Sequence, residues 1–125
     1  MPKMMWVGLG GAVGAMCRYV VSGLATRLAG ATVFPAGTVT VNLLGCFLIG
    51  LLGSLIETRQ LVSSPMRLLF MTGFLGGFTT FSTYGYESFG LLRTGEIPAM
   101  VMNIGIHTLA GLLTVWAGYA LARLF

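Results

Sequence analysis

The stretch GFLGGFTTFSTYG, from Gly73 to Gly85, decides how the rest of the chain is read. Glycines stand at four of its positions. Its hydroxyl residues are Thr79, Thr80, Ser82 and Thr83, and the aromatic residues Phe81 and Tyr84 are interleaved with them. Paired glycines loosen a helix, and hydroxyl groups compete for its backbone hydrogen bonds. Within a bilayer, irregular backbone persists only where it is buried in protein or lines a wet cavity. We therefore expect this stretch to interrupt a helix at mid-membrane.

The composition of the whole chain predicts an all-α membrane protein. Of its 125 residues, 56% are hydrophobic and only 8% are charged, whereas soluble proteins carry about 25% charged residues. At about 20 residues per span, this length allows four spans and no soluble domain. We expect a single domain over residues 1–125, with spans at Met4–Leu28, Ala36–Ile56, Met66–Leu92 and Pro98–Leu124. The third should be broken, with a first half up to Gly76 and a second half from about Thr80.

Several function classes are disfavoured by the residue inventory. The chain has one histidine and three acidic residues in separate regions, and it lacks a phosphate-binding GxxxxGK[ST] loop, so we expect no enzyme. The net charge of +4 comes from basic residues scattered singly, which argues against a nucleic-acid partner. Cys17 and Cys46 fall inside predicted spans and are interpreted as small packing residues.

Polar residues within the spans each allow two interpretations. Arg18 either has a structural role, in which it ties down helix ends or snorkels toward an interface, or gives positive charge to an aqueous vestibule, and the two roles are compatible. Asn42 either makes an interhelical hydrogen bond or replaces part of the hydration shell of an anion. His107 is either a hydrogen-bonded packing residue or a pore-lining one. Phe81 and Tyr84 either pack in the core or present their electropositive ring edges to an anion.

A helix break offers two opposite kinds of ion site. Carbonyl groups freed where the first half ends can coordinate a cation, and amide and hydroxyl groups at the start of the second half favour an anion. Weak, closely spaced donors suit a small, hard anion.

The chain also indicates an oligomer. No internal repeat is evident, and four helices are few for enclosing a pathway. The loop charges are nearly balanced, with Lys3, Arg59, Arg67 and Arg123 on one side and Arg27 and Arg93 on the other. So small a bias sets orientation poorly, and a chain that inserts both ways can build an antiparallel dimer.

Three motifs together resemble the CrcB, or Fluc, fluoride-channel family. They are GGAVGAMCRY (Gly10 to Tyr19), GTVTVNLLGCFLIG (Gly37 to Gly50) and the opening stretch. The resemblance covers essentially the whole chain. It implies a dual-topology antiparallel homodimer in the cell inner membrane, with two pores that passively export fluoride and confer fluoride resistance. It also implies a structural sodium ion.

The resemblance assigns roles to individual residues. Sodium would be held by the backbone carbonyls of Gly76 and Thr79. The pore residues would be Asn42, Phe81, Tyr84, Ser82, Thr83, Arg18 and Glu87, and His107 is a further candidate. This chain departs from the family at Tyr84, where Phe is usual, and in the fourth span, where some members carry Tyr, Ser and Ser in place of Asn103, His107 and Gly111. A protonatable His107 would make flux depend on pH.

Two other functions are considered. A small dual-topology proton-coupled exporter has similar length, but such exporters rely on a carboxylate in the first span, where this chain has Arg18. Its in-span carboxylate is Glu87, near the far end of the third span. A non-transporting assembly subunit would explain the many glycines but not the polar break.

Overall fold

The computed structural model describes residues 2–59 and 62–125, and all regular structure in this part of the chain is helical. The chain forms four helical passages, of which the third is divided into two helices. The helices are α1 (Lys3–Ala29), α2 (Ala36–Arg59), α3 (residues 64–78), α4 (Phe81–Arg93) and α5 (Ile97–Ala122). The predicted all-α architecture with four helices, the third broken, is therefore confirmed.

Helices α1, α2 and α5 are each long and apolar enough to cross a membrane. Helices α3 and α4 together form the remaining passage. The predicted ends of the spans lie close to the observed ones, except that α2 continues past Ile56 to Arg59. The loop expected over residues 57–65 includes Gln60 and Leu61, which lie outside the described residues.

Two glycines with positive φ stand at the ends of helices. Gly30, with φ of 73°, follows α1, and its N–H donates to the Arg27 carbonyl. Gly95, with φ of 79°, lies in the turn between α4 and α5. Glycine adopts this left-handed conformation without steric cost and is therefore the usual residue just past a helix end. After Gly95 the next helix begins at Ile97, whereas five residues separate Gly30 from the start of α2 at Ala36.

The break in the third passage lies later than the sequence predicted. Helix α3 is α-helical over Ser64–Arg67, π-helical over Leu68–Leu75 and α-helical again over Gly76–Phe78. The extended residues are Thr79 (φ −90°, ψ 159°) and Thr80 (φ −150°, ψ 115°). The prediction that the first half ends at Gly76 was thus wrong by two residues, whereas the predicted start of the second half at about Thr80 is confirmed, since Thr80 is the N-cap of that helix.

Close packing explains why Gly77, the second of the paired glycines, stays helical. A Cβ atom at Gly77 would clash with the backbone of Gly11 on α1, so the absent side chain serves contact between helices rather than bending of the backbone. The GxxxG pair of α1 acts in the same way. Gly10 and Gly14 are buried, and a Cβ atom at Gly10 would lie 2.8 Å from the Phe74 amide nitrogen.

The glycines hold two pairs of helices in close contact. Helix α1 packs along α3, and α2 packs along the second half of α5. In the second pair, a Cβ atom at Gly118 would meet the Phe47 backbone, and one at Gly50 would meet the Val115 backbone. The break between α3 and α4 lies beside both α1 and α2 and is thereby held in a fixed position.

Substitution of the α1 glycines tests this packing. Gly10→Ala is expected to lower the free energy of unfolding by about 1–3 kcal/mol, because the added methyl group forces α1 away from α3. Gly8→Ala is the matched control: a Cβ atom there meets nothing within 4 Å, so the change should stay within about 0.5 kcal/mol. Thermal unfolding in detergent, followed by size-exclusion chromatography, measures both. Equal losses in the two variants would contradict the close approach at Gly10.

Candidate functional site

The side chain of Asn42 bridges the break in the third passage. Its Oδ1 accepts a hydrogen bond of 2.8 Å from the Thr80 N–H, and its Nδ2 donates one of 3.0 Å to the Thr80 carbonyl. We term this pair of hydrogen bonds the Asn42 clamp. An unpaired backbone polar group costs several kcal/mol in a bilayer. The clamp satisfies both polar groups of the residue that has left the helix, so α2 stabilises the break directly.

The clamp also changes the end of α3. The Thr79 N–H still donates to the Leu75 carbonyl at 3.0 Å, and the Thr79 hydroxyl donates to the same carbonyl at 2.8 Å. The Thr80 N–H, which would continue the helix to the Gly76 carbonyl, is turned to Asn42 instead. The last carbonyl groups of α3 therefore carry the partial negative charge of a helix C-terminus.

Helix α4 begins with a side-chain cap. Thr80 is its N-cap residue, and the Thr80 Oγ1 accepts a hydrogen bond of 3.3 Å from the Thr83 N–H. The same Oγ1 donates to the Thr83 Oγ1 at 3.0 Å and lies 3.4 Å from the Ser82 Oγ. The hydroxyl run predicted to compete with helical hydrogen bonds thus defines where α4 starts.

Behind the clamp, His107 contacts Asn42 from α5. The two side chains meet at 3.1 Å between Asn42 Nδ2 and His107 Nε2, and His107 Nδ1 lies 3.0 Å from the Asn103 carbonyl oxygen. A carbonyl oxygen only accepts hydrogen bonds, so Nδ1 carries a proton and donates it. Nε2 in turn accepts from the Asn42 amide. His107 lies in the π-helical segment Ile106–Ala110, and such segments are frequent at functional sites.

The aromatic pair stands at the start of α4. The rings of Phe81 and Tyr84 are 5.4 Å apart at an angle of 55°, and Tyr84 lies 4.3 Å from the His107 ring. Phe81 is 82% exposed on the single chain, which overturns the interpretation of Phe81 as a core residue of the monomer. Its ring edge is free to meet a ligand or a second chain.

The structure brings most of the predicted site residues to one groove. This groove, which we term the aromatic groove, has a volume of about 440 Å³. The predicted site residues that line it are Asn42, Gly76, Thr79, Phe81, Tyr84 and His107. It opens on the face where Gly76 is exposed.

Arg18 and Glu87 line two separate cavities of about 490 Å³ each. The cavity of Arg18 is also lined by Thr80 and Thr83, so Thr80 borders both this cavity and the aromatic groove. Glu87 lines the other cavity, and Thr38 borders it together with that of Arg18. Ser82 is exposed beside Thr80. The aromatic groove and the two cavities are therefore neighbours that share threonine residues in their linings, and most of the predicted residues line one of the three.

Two polar contacts were not predicted. The Thr38 hydroxyl donates to Glu87 Oε1 at 2.8 Å, while Glu87 Oε2 is buried without a hydrogen-bond partner in the described part of the chain. Asn103, fully buried, donates from Nδ2 to the Ser88 hydroxyl at 2.9 Å. The spacing of Thr38 and Asn42, one helical turn apart, is the sequence signal that places both on the face of α2 toward the break.

This arrangement is chemically suited to ions rather than to covalent chemistry. Among residues 2–59 and 62–125, His, Cys, Asp and Glu form no group of three or more that could hold a metal ion. The carbonyl end of α3 favours a cation, while the hydroxyl groups and ring edges of α4 favour an anion. The fold and the site together define a multi-pass helical membrane protein with a polar break in its third passage.

Comparison with known proteins places the chain in a family. A family model described as "CrcB-like protein, Camphor Resistance (CrcB)" matches residues 5–119. Three relatives carry the name "Fluoride-specific ion channel FluC". That of Maridesulfovibrio salexigens is 45% identical over 124 residues, which are 99% of this chain and 98% of the relative. That of Chloroflexus aurantiacus is 48% identical over 126 residues, with coverage of 100% and 98%. That of Solidesulfovibrio magneticus is 43% identical over 122 residues, with coverage of 98% and 97%. The chain belongs to the CrcB-like family, and the resemblance found in its motifs is confirmed.

Amide hydrogen exchange tests the Asn42 clamp. Asn42→Ala removes the acceptor of the Thr80 N–H, so exchange at Thr80 is expected to accelerate roughly fivefold or more. The Thr79 amide, which bonds within α3, is the internal reference and should not change. Identical exchange at Thr80 in Asn42→Ala and in the unmodified protein would contradict the clamp.

Proposed function

We propose that this protein is a fluoride-selective ion channel, and not an enzyme, that lets fluoride leave the cell passively across the inner membrane. The whole chain, residues 1–125, acts as one channel domain. The observation that carries the proposal is the polar break between α3 and α4, in a chain similar over its full length to proteins named as fluoride-specific channels.

The donors around the break support an anion as the permeating species. Phe81 and Tyr84 line the aromatic groove, and Thr83 adds a hydroxyl on the side of the Arg18 cavity. An aromatic ring is electropositive at its edge. Weak donors of this kind stabilise a partly dehydrated ion without holding it, as conduction requires. Arg18 supplies positive charge at the entrance, and Ser82 and Glu87 complete the series of polar side chains.

The exposed break supports assembly into a dual-topology antiparallel homodimer. On the single chain, the face that carries Gly76 and Phe81 is open. Irregular backbone does not face lipid, so this face requires a protein cover. A second copy in antiparallel orientation supplies the same polar surface, and the pair then contains two symmetry-related pores.

The carbonyl groups of Gly76 and Thr79 fit a structural sodium ion at the centre of that dimer. The Gly76 carbonyl lies at the C-terminal end of α3, and the Thr80 N–H that would pair with it bonds to Asn42. One chain offers two carbonyl oxygens, and its antiparallel partner would double that number. The ion would neutralise the two negative helix ends that meet there.

Ion flux from liposomes tests the function. Vesicles loaded with fluoride or chloride, without a proton gradient, should release fluoride rapidly and retain chloride. Equal release of both ions would overturn selectivity for fluoride. Release of an organic cation that requires a pH gradient, with no fluoride release, would favour a proton-coupled exporter.

The aromatic edge is tested within the same assay. Phe81→Ile removes the electropositive edge and should lower fluoride efflux at least tenfold while the protein stays folded. A tenfold loss corresponds to an increase of about 1.4 kcal/mol in the free-energy barrier to efflux. Phe89→Ile is the matched control, because Phe89 is also exposed on α4 but lies two turns further along. Unimpaired efflux in Phe81→Ile would rule out a role for the ring edge.

Sodium dependence tests the central ion. Replacement of Na⁺ by N-methyl-D-glucamine should lower the melting temperature of the detergent-solubilised dimer, because bound ligand stabilises the folded state. Cross-linking and light scattering report the dimer independently. A melting temperature that does not change over the full range of sodium concentration would exclude a stabilising sodium site.

A further inference from the structure

His107 is the single histidine of the chain, and its ring is held from three directions. Nδ1 donates to the Asn103 carbonyl at 3.0 Å, Nε2 lies 3.1 Å from Asn42 Nδ2, and the Tyr84 ring packs at 4.3 Å. A neutral imidazole has one donor and one acceptor nitrogen. The Asn103 contact fixes Nδ1 as the donor, so Nε2 presents a lone pair to Asn42.

This contact completes the hydrogen bonding of the Asn42 amide. Of the two hydrogens on Nδ2, one goes to the Thr80 carbonyl and the other to His107 Nε2, while Oδ1 accepts from the Thr80 N–H. The amide can satisfy these partners in one orientation only. A flip of the amide would place its oxygen against the Nε2 lone pair and against the Thr80 carbonyl, and its NH₂ group against the Thr80 N–H.

We propose that His107, in its Nδ1-protonated neutral form, is a positioning residue that fixes the Asn42 amide and, through it, the geometry of the helix break. It acts through Asn42 and need not touch the permeating ion. This inference rests on the proposed channel function only where flux is the readout. The tautomer and the coupling to Thr80 hold or fail independently of that function.

Helix α5 contributes no backbone to the break, but His107 connects it to the break through Asn42. The clamp joins α2 to the third passage, and His107 joins the clamp to α5. Without the acceptor at Nε2, one amide hydrogen of Asn42 is left unpaired in a half-buried site, and the orientation of the amide loses one of its three constraints. The Thr80 hydrogen bonds should then weaken, although His107 makes no hydrogen bond to Thr80.

Selective labelling of histidine with ¹⁵N gives a direct readout, because one residue produces all the ring signals. In liposomes at pH 7.5, the spectrum should show a protonated Nδ1 and an unprotonated Nε2 that accepts a hydrogen bond. Thr108→Val, in the same π-helical segment, is the matched control and should keep this spectrum. A protonated Nε2, in either the neutral or the cationic ring, would overturn the proposal.

Two substitutions then test the coupling. His107→Leu removes the acceptor, and Thr80 amide exchange should accelerate about fivefold or more, with fluoride efflux falling about tenfold. His107→Gln offers a side-chain oxygen to Asn42 and should restore protection at Thr80, with several-fold more efflux than His107→Leu.

The outcomes separate the two proposals. Thr80 exchange that is unchanged in His107→Leu, or equally fast in His107→Leu and His107→Gln, would overturn the positioning role. Absence of fluoride efflux from the unmodified protein would instead overturn the channel function, and the ¹⁵N spectrum and Thr80 exchange would still decide the role of His107. If His107→Leu fails to fold, the spectrum of the unmodified protein and the exchange in His107→Gln remain decisive.

Discussion

The hydrogen bonding of the Thr80 backbone is the constraint on which the rest of this structure depends. A helix that stops within a bilayer leaves amide and carbonyl groups that lipid cannot satisfy. Here the side-chain amide of Asn42, on a different helix, pairs with both the N–H and the carbonyl of Thr80, the first residue outside the helical hydrogen bonding of α3. The interruption therefore becomes a defined feature of the fold, and its position is set by Asn42 rather than by the glycines before it.

Glycine and threonine have different structural roles around the break. Gly77 brings α3 against Gly11 of α1, which anchors the first half, and Thr80 both receives the clamp and caps α4. Close helix contact and backbone interruption are thus achieved by adjacent but different residue types. The division also explains why the third passage can be irregular in the middle while α3 remains closely packed against α1.

The sequence predicted the elements well because each depends on local properties. Long apolar runs, the GxxxG pair of α1 and the hydroxyl run all act through the backbone or the nearest helix face. What it predicted less well depends on contacts between distant residues. The sequence predicts an end of α3 at Gly76 because glycines weaken isolated helices, whereas α3 continues to Phe78 with Gly77 packed against Gly11. The bond between Thr38 and Glu87 joins residues 49 positions apart and has no local signature.

Two positions at which the resemblance implies a departure from the family, Tyr84 and His107, are in direct contact. The tyrosine ring packs on the imidazole, with ring centres 4.3 Å apart, and the imidazole donates to the backbone carbonyl of Asn103. A serine at position 107 would be too short to make both of its bonds, to Asn42 and to the α5 backbone, at once. The imidazole reaches both partners because its two nitrogens, which flank Cε1, point outward from a rigid ring in different directions. A larger side chain at position 107 also needs a flat neighbour, which Tyr84 provides.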